Sequence, residues 1–164
     1  MKIPVRYLPY RLTKKDKQKQ TNMLLKSRQL YKKGKYYTRK SIKSYNNKTS
    51  NHIVNARKIY GIEKISPSKE LSKKTGCSVS ALKQIVKKGE GAYFSSGSRP
   101  NQSAQSWGLA RLASSITAGK SAAVDYNILE SGCNHRKKAF LLATQSRKKY
   151  KYGHSKTKKR DIKI

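Results

Sequence analysis

Acidic residues are scarce in this sequence. Its 164 residues include 7 Asp and Glu against 40 Lys and Arg, which gives a formal net charge of +33. So few carboxylates cannot neutralise the cations, and we therefore expect a polyanionic partner, above all nucleic acid. Acid–base catalysis and metal binding use clusters of Asp, Glu, His or Cys, and here these residues are thinly spread. The composition predicts a protein that is not an enzyme and that uses no metal and no cofactor.

Long apolar runs and paired cysteines are also missing. No segment reaches the roughly 18 apolar residues that a membrane span needs, and Met1–Arg6 lacks the apolar stretch of a signal peptide. We expect no membrane span and a place inside the cell or a particle. The two cysteines, Cys77 and Cys133, have neither a disulfide framework nor a zinc spacing. They are predicted to be small buried apolar residues.

Positive charge is concentrated towards both ends of the chain. The net charge is +17 over residues 1–60, +4 over 61–90, +1 over 91–134 and +11 over 135–164. This distribution predicts a basic N-terminal arm with one or two helices over 1–60, a near-neutral helical core over 61–134, and a basic C-terminal helix and tail over 135–164. Both arms are expected to be partly extended, because Pro4 and Pro9 disfavour a regular helix near the first end.

Capping residues and apolar spacing predict a mainly α fold. One helix is expected from the N-cap Thr13 to Gly34, and a second over residues 50–61. Further helices are predicted over 102–118 and 122–129, with a last one beginning at Asn134. The stretch from Lys87 to Pro100 is rich in Gly and Ser, so it is predicted to be a loop.

Residues 66–86 resemble a helix-turn-helix. Pro67 suits a first helical position, Gly76 a left-handed turn, and Ser78 the cap of a second helix. In a DNA-reading protein the second helix would place five residues toward the groove, with Gln84 as a candidate adenine contact: Ser78, Ser80, Lys83, Gln84 and Lys87. The alternative is a helical hairpin that serves packing alone.

The candidate polyanion-binding residues are therefore the basic clusters together with this second helix. They are Lys14, Lys15, Lys17, Lys19, Lys32, Lys33, Lys35, Arg39, Lys40, Lys83, Gln84, Lys87, Lys88, Arg136, Lys137, Lys138, Arg147, Lys148, Lys149, Lys151, Lys158, Lys159 and Arg160. Many of the 11 tyrosines lie beside these cations. Interleaved rings and cations suit either stacking on bases or contacts between proteins, and both alternatives stay open.

Two stretches carry a resemblance to a known family. They are Ile3–Pro9 and a block made of Gly91-Ala92-Tyr93, Arg99-Pro100, Ser106-Trp107-Gly108, Ala110-Arg111 and Asp125 to Leu129. These are similar to an uncharacterised family of basic proteins in large, chlorella-virus-like double-stranded DNA viruses of algae, and blocks with the same elements recur in phage proteins. The resemblance implies a viral, particle-associated protein and brings no catalytic chemistry with it.

Two functional hypotheses follow. The first is a non-enzymatic structural protein of the virion, a minor capsid protein that cements the shell and whose basic arms contact capsid proteins or packaged DNA. The alternative is a DNA-binding or DNA-condensing virion protein that uses the helix-turn-helix-like segment. Both expect double-stranded DNA nearby, no small-molecule substrate, and a location in the virion and, during assembly, in the host cell interior.

Overall fold

The fold is mainly α-helical, as predicted. The computed structural model describes residues 1–151 and 158–162, and within these ranges it contains eight α-helices and one pair of short strands. The elements are β1 (Lys2–Pro4), a 3-10 turn (Val5–Tyr7), α1 (Lys14–Lys32), α2 (Asn51–Tyr60), α3 (Lys69–Thr75), α4 (Val79–Ser95), α5 (Ala104–Ser115), α6 (Lys120–Val124), α7 (Tyr126–Gly132), α8 (Lys138–Tyr150) and β2 (Lys159–Asp161). No helix in the described ranges is long and apolar enough to cross a membrane.

The chain forms two compact units, and each is assembled from separated stretches. Unit 1 consists of Met1–Lys48, Glu90–Trp107 and Lys156–Ile164, and unit 2 of Thr49–Gly89 and Gly108–Ser155. These boundaries differ from the three consecutive segments that the charge distribution predicts. The reason is physical: a charge count follows the solvated side chains, whereas packing is decided by the apolar residues between them.

In unit 1 the described residues near both ends of the chain, in β1 and β2, are paired with each other, which differs from the predicted extended arms. Strand β1 pairs with β2 in an antiparallel arrangement that places Ile3 opposite Arg160. Ile3 and Leu8 are fully buried, because the short N-terminal stretch carries apolar side chains between its polar ones. The core comprises Ile3, Tyr7, Leu8, Leu12, Met23, Leu24, Ile42 and Tyr45. The rest of the predicted C-terminal tail, residues 152–157 and 163–164, lies outside the described residues.

Helix α1 has the ends that its sequence predicts. The Thr13 hydroxyl accepts a hydrogen bond from the backbone N–H of Asp16 at 3.2 Å, which satisfies one of the free donors of the first turn. Gly34 adopts φ +73° and ends the helix by turning the chain back. The following residues, up to about 45, form no regular strand and run as an irregular strap.

Unit 2 holds the larger core. Its fully buried members include Leu71, Leu82, Ile85, Leu112 and Leu129. Helix α2, which spans Asn51–Tyr60, confirms the helix predicted over residues 50–61.

Two of the later predictions were wrong in unit 2. The helix expected over residues 122–129 is broken at Asp125 into α6 and α7. Helix α8 begins at Lys138 rather than near Asn134, because the Asn134 side chain caps a preceding turn, with its Oδ1 2.9 Å from the backbone N of Arg136.

The predicted Gly/Ser loop was wrong over its first half, because α4 continues through Gly89 and Gly91 to Ser95. A Cβ atom on Gly89 would lie only 2.6 Å from the Cα of Gly108 in α5. Gly89 and Gly108 therefore allow α4 and α5 to cross closely, and both Gly89 and Gly91 lie within a helix rather than in a loop. Residues 96–100 after the helix are irregular, as expected, and the helix predicted from residue 102 begins at Ala104.

Cys77 and Cys133 form a disulfide, so the prediction of two unpaired cysteines was wrong. Both are buried, as expected. The backbone brings them together: the N–H of Ser78 donates to the carbonyl of Gly132 and that of Asn134 to the carbonyl of Gly76, each at 2.8 Å. Long-range backbone pairing of this kind leaves no trace in the cysteine spacing.

Candidate nucleic-acid interface

The helix-turn-helix-like hairpin is present in unit 2. Ser68 caps α3 by accepting a hydrogen bond from the N–H of Leu71 at 3.1 Å, and the helix begins at Lys69 rather than at Pro67. Gly76 adopts φ +80° in the turn, and Ser78 caps α4 through the N–H of Ala81 at 3.1 Å. The hairpin prediction is confirmed, and its local cause is this alternation of caps and a left-handed glycine.

One side of α4 is exposed and polar. Ser80, Lys83, Gln84 and Lys87 are all exposed, and a spacing of three or four residues places them along one side of the helix. Lys73 and Lys74, in the last turn of α3, are also exposed. These residues form the exposed surface of the hairpin.

Basic residues before α8 adjoin the hairpin. The Lys137 side chain packs directly against the backbone of Gly76 in the turn. Arg136, Lys137 and Lys138 are exposed. The turn of the hairpin is thus flanked by cations that lie about 60 residues later in the sequence, and together they extend the positive surface.

Helix α7 lies beside α4 and borders a groove of about 380 Å³ with a mixed polar and apolar lining. Ser80 and Gln84 line it from α4, and Asn127 and Ser131 from α7. Two side-chain amides and several hydroxyls therefore face the same space, and amides are the groups that pair with N6 and N7 on the major-groove edge of adenine. Asn127 was not among the predicted residues, and only the packing of α7 against α4 identifies it.

Lys88, although predicted to bind polyanions, contacts a carboxylate of its own protein. Its Nζ lies 3.0 Å from Oδ1 of Asp125, whose side chain is fully buried. Arg111 donates to both oxygens of the same carboxylate, through Nε and Nη2, at 2.8 Å each. This bidentate pair holds α5 to the break between α6 and α7.

Arg39 was predicted to bind a polyanion at the surface, and that prediction was wrong because the side chain is buried. Its Nη1 donates to the Ser27 hydroxyl at 3.0 Å and to the Tyr93 carbonyl at 2.8 Å, and its Nη2 donates to the Ser98 hydroxyl at 2.8 Å. The guanidinium also lies 3.8 Å from the centre of the Tyr93 ring. Burial lowers the pKa of Arg39, and the neutral acceptors and the ring compensate for the water that the cation has lost.

The other predicted cations are exposed, except Arg160, which is half-buried. In unit 1 the exposed ones are Lys14, Lys15, Lys17, Lys19, Lys32, Lys33, Lys35, Lys40, Lys158 and Lys159. In unit 2 they include Arg147, Lys148, Lys149 and Lys151, of which Arg147 lies 4.3 Å from the ring centre of Tyr126. Arg160 donates to the carbonyl of Leu8 at 2.7 Å. The predicted set is therefore divided between the two units.

A family model matches residues 4–130, which is more than three quarters of the chain. The chain belongs to DUF5824, a family of unknown function. No curated protein and no solved structure matches it. The match to DUF5824 covers the hairpin and the Arg39 network and ends before α8.

The groups that this DUF5824 protein could use to bind a partner lie on its polar surfaces. No group of three or more His, Cys, Asp or Glu side chains that could hold a metal occurs in residues 1–151 and 158–162. No buried side-chain nitrogen or oxygen in the same ranges lacks a hydrogen-bond partner. The chemistry that these surfaces offer to a partner is positive charge, amides, hydroxyls and aromatic rings.

Proposed function

We propose that this protein is a non-enzymatic, DNA-binding structural protein of a large DNA virus particle. It binds the double-stranded genome through the exposed surface of the helix-turn-helix-like hairpin. The observation that carries the proposal is the exposed row formed by Ser80, Lys83, Gln84 and Lys87, next to the cations at the turn. A helix that presents lysines to phosphates and an amide to base edges has the residue types that duplex binding needs.

The charge of the whole chain supports the same proposal. Even if each of the 7 carboxylates paired with one of the 40 Lys and Arg residues, 33 cations would be left without an internal anion. Cations in such excess bind phosphates and release their counterions, which gives sequence-independent affinity for DNA. The hairpin then determines how the duplex is placed.

The experiment compares two double variants that remove equal charge from unit 2. Lys83→Gln/Lys87→Gln changes the hairpin, and Lys58→Gln/Lys64→Gln changes two exposed lysines outside it. Binding to a 30-base-pair duplex is measured by fluorescence anisotropy at several salt concentrations. We expect the hairpin variant to lose about two units of the slope of log K against log salt, since each phosphate contact contributes about 0.9, and the control to lose less. Equal losses in both variants would contradict the proposal and assign the binding to diffuse charge.

A separate variant tests the contact to bases. Gln84→Ala removes the amide and leaves the charge unchanged, so it is expected to weaken any sequence preference without altering the salt slope. The sequence preference is measured by selecting the bound sequences from a pool of random duplexes, once with the wild type and once with this variant. An unchanged preference in the variant would show that Gln84 does not read the sequence.

The second candidate function is a minor capsid protein that cements neighbouring subunits. The resemblance to viral proteins supports it, as do the exposed side chains of Tyr10 and Leu141, which suit contacts between proteins. Nuclease and salt treatment of purified particles separates the two candidates. Release of the protein together with the DNA favours the first, and retention in the empty shell favours the second.

A further inference from the structure

A cluster of three aromatic rings in unit 1, two of them exposed, has no role in the hairpin. The turn after α1 creates it: Gly34 donates its N–H to the carbonyl of Tyr31 at 2.9 Å, and Lys35 donates to that of Leu30 at 2.9 Å. The chain therefore reverses, and the ring of Tyr36 comes to lie 6.2 Å from the ring of Tyr31 between centres. The Tyr36 ring also lies 5.0 Å from that of Phe94 at the end of α4. We call Tyr31, Tyr36 and Phe94 the aromatic surface.

The middle ring of this surface is open to solvent. Tyr36 is 72% exposed, more than any other large hydrophobic side chain among the described residues, and Tyr31 is 38% exposed. A ring so exposed adds little to the core, and contiguous exposed rings mark an interaction site. One side of Tyr36 rests on Phe94, and the rest of the ring is free to stack on a planar group.

The buried Arg39 network holds the strap that carries Tyr36. Arg39 lies three residues after Tyr36 in the sequence. Its backbone N–H donates to the hydroxyl of Tyr93 at 2.9 Å. The Tyr93 ring in turn contacts the edge of Phe94, with the ring centres 5.0 Å apart and the planes at 90°. The aromatic surface is therefore fixed before a partner arrives, which lowers the entropic cost of binding. Arg39 acts as a positioning residue for it.

The surroundings of the rings are positive. Lys32, Lys33 and Lys35 are exposed and lie between Tyr31 and Tyr36 in the sequence. Glu90 lies one helical turn before Phe94 and is outnumbered by these three lysines. Rings interleaved with cations have the chemistry of surfaces that stack on bases and neutralise the linking phosphates.

We propose that the aromatic surface binds unpaired bases of single-stranded nucleic acid, with Tyr36 as the stacking ring and the three lysines on the backbone phosphates. An intact duplex cannot use this surface, because its bases are stacked on each other and show only their edges in the grooves. The proposed site thus differs from the hairpin in both position and ligand. It goes beyond the proposed function and does not depend on it.

The test uses two oligonucleotides with the same backbone charge. One is a fifteen-residue dT strand, and the other is an abasic strand of equal length; both are titrated at one fixed salt concentration. The wild type is expected to prefer the dT strand by roughly 5- to 150-fold, which corresponds to one stacked base. Tyr36→Ala is expected to remove most of this preference, and Tyr36→Phe to keep it, since stacking needs the ring and not the hydroxyl. A comparison with an RNA strand of uridines of equal length distinguishes DNA from RNA as the source of the bases.

Tyr10→Ala is the matched control, because Tyr10 is also in unit 1 and is 63% exposed. It differs from Tyr36 in that the Arg160 guanidinium lies 4.4 Å from its ring centre. Tyr10→Ala is expected to keep the preference for dT. Equal affinity of the wild type for both strands would overturn the proposal, as would an equal loss in Tyr10→Ala and Tyr36→Ala. A surface that serves a protein partner would leave Tyr36→Ala without effect on either strand, which also overturns it. Tyr36→Ala is expected to bind duplex DNA as the wild type does. A negative result for the aromatic surface can therefore be distinguished from a negative result for the hairpin proposal.

Discussion

At the scale of single residues, cations that look alike in the sequence occupy different environments. Lys40 is exposed, whereas its neighbour Arg39 is buried among neutral acceptors and an aromatic ring. No local pattern distinguishes the two, because the partners of Arg39 are supplied by residues 27, 93 and 98. Exposure of the lysine clusters was predictable from their charge density alone. The buried arginine was not, since its burial depends on tertiary contacts.

One carboxylate makes the stability of unit 1 depend on pH. Hydrogen bonds from the Ser44 side chain and the Ser44 backbone N–H lower the pKa of Asp16. A pKa that is lower in the folded than in the unfolded state adds stability above the unfolded value of about 3.9, and this stability is lost as the pH falls through the folded value. We therefore expect Asp16→Asn to reduce the free energy of unfolding at pH 7, with a difference from the wild type that shrinks below pH 4.

Urea unfolding of both proteins at pH 7, 4 and 2.5 measures this difference. Glu63→Gln removes the same charge from an exposed position and controls for the change in net charge. A difference between Asp16→Asn and the wild type that stays constant over the three pH values would show that the Asp16 carboxylate does not stabilise the fold.

At the scale of elements, helix ends were predictable where a capping side chain or a left-handed glycine lies next to them, as at Thr13 and Gly61. The predictions failed where a contact between residues far apart in the sequence determines whether a helix continues or breaks. Helix α4 continues through two glycines, and the helix around Asp125 is broken where its carboxylate reaches Arg111 and Lys88. In both cases the local preference is outweighed by packing or ion pairing that a single segment does not reveal.

The two glycines of α4 predict opposite effects of the same substitution. Gly91→Ala adds a Cβ with no atom within 4 Å, and it is expected to stabilise the protein by about 0.5–1 kcal/mol through helix propensity. Gly89→Ala forces a Cβ against the backbone of Gly108, and we expect a loss of about 1–3 kcal/mol from overpacking. Thermal unfolding of both variants measures the effects. Stabilisation by both would show that α4 and α5 do not cross closely at Gly89.

At the scale of the whole molecule, the distribution of charge along the sequence did not predict how the chain divides into units. Residues 1–48, which carry much of the positive charge, fold together with 90–107 in unit 1. The apolar side chains that allow this, such as Ile3 and Leu24, are too few to change the mean hydropathy of the segment. A folded body that is basic on its surface therefore looks, in the sequence, like a solvated arm.

The net charge predicts strong salt dependence of DNA binding. If about ten of the exposed cations contact phosphates, the slope of log K against log salt is expected near −9, a loss of about five orders of magnitude in affinity between 50 and 200 mM salt. Titration of a random-sequence duplex over this range measures the slope. A slope near zero would contradict binding to the phosphate backbone and favour a partner of another class.

The pairing of β1 with β2 also sets an order of events during synthesis. Lys2 pairs with Asp161, so the first strand leaves the ribosome long before its partner exists. At about 5–20 residues per second the interval is roughly 8–30 s. All of Thr49–Gly89 and Gly108–Ser155 precedes β2 in the chain, so unit 2 is able to close first. Unit 1 is completed only when β2 has been made and pairs with β1.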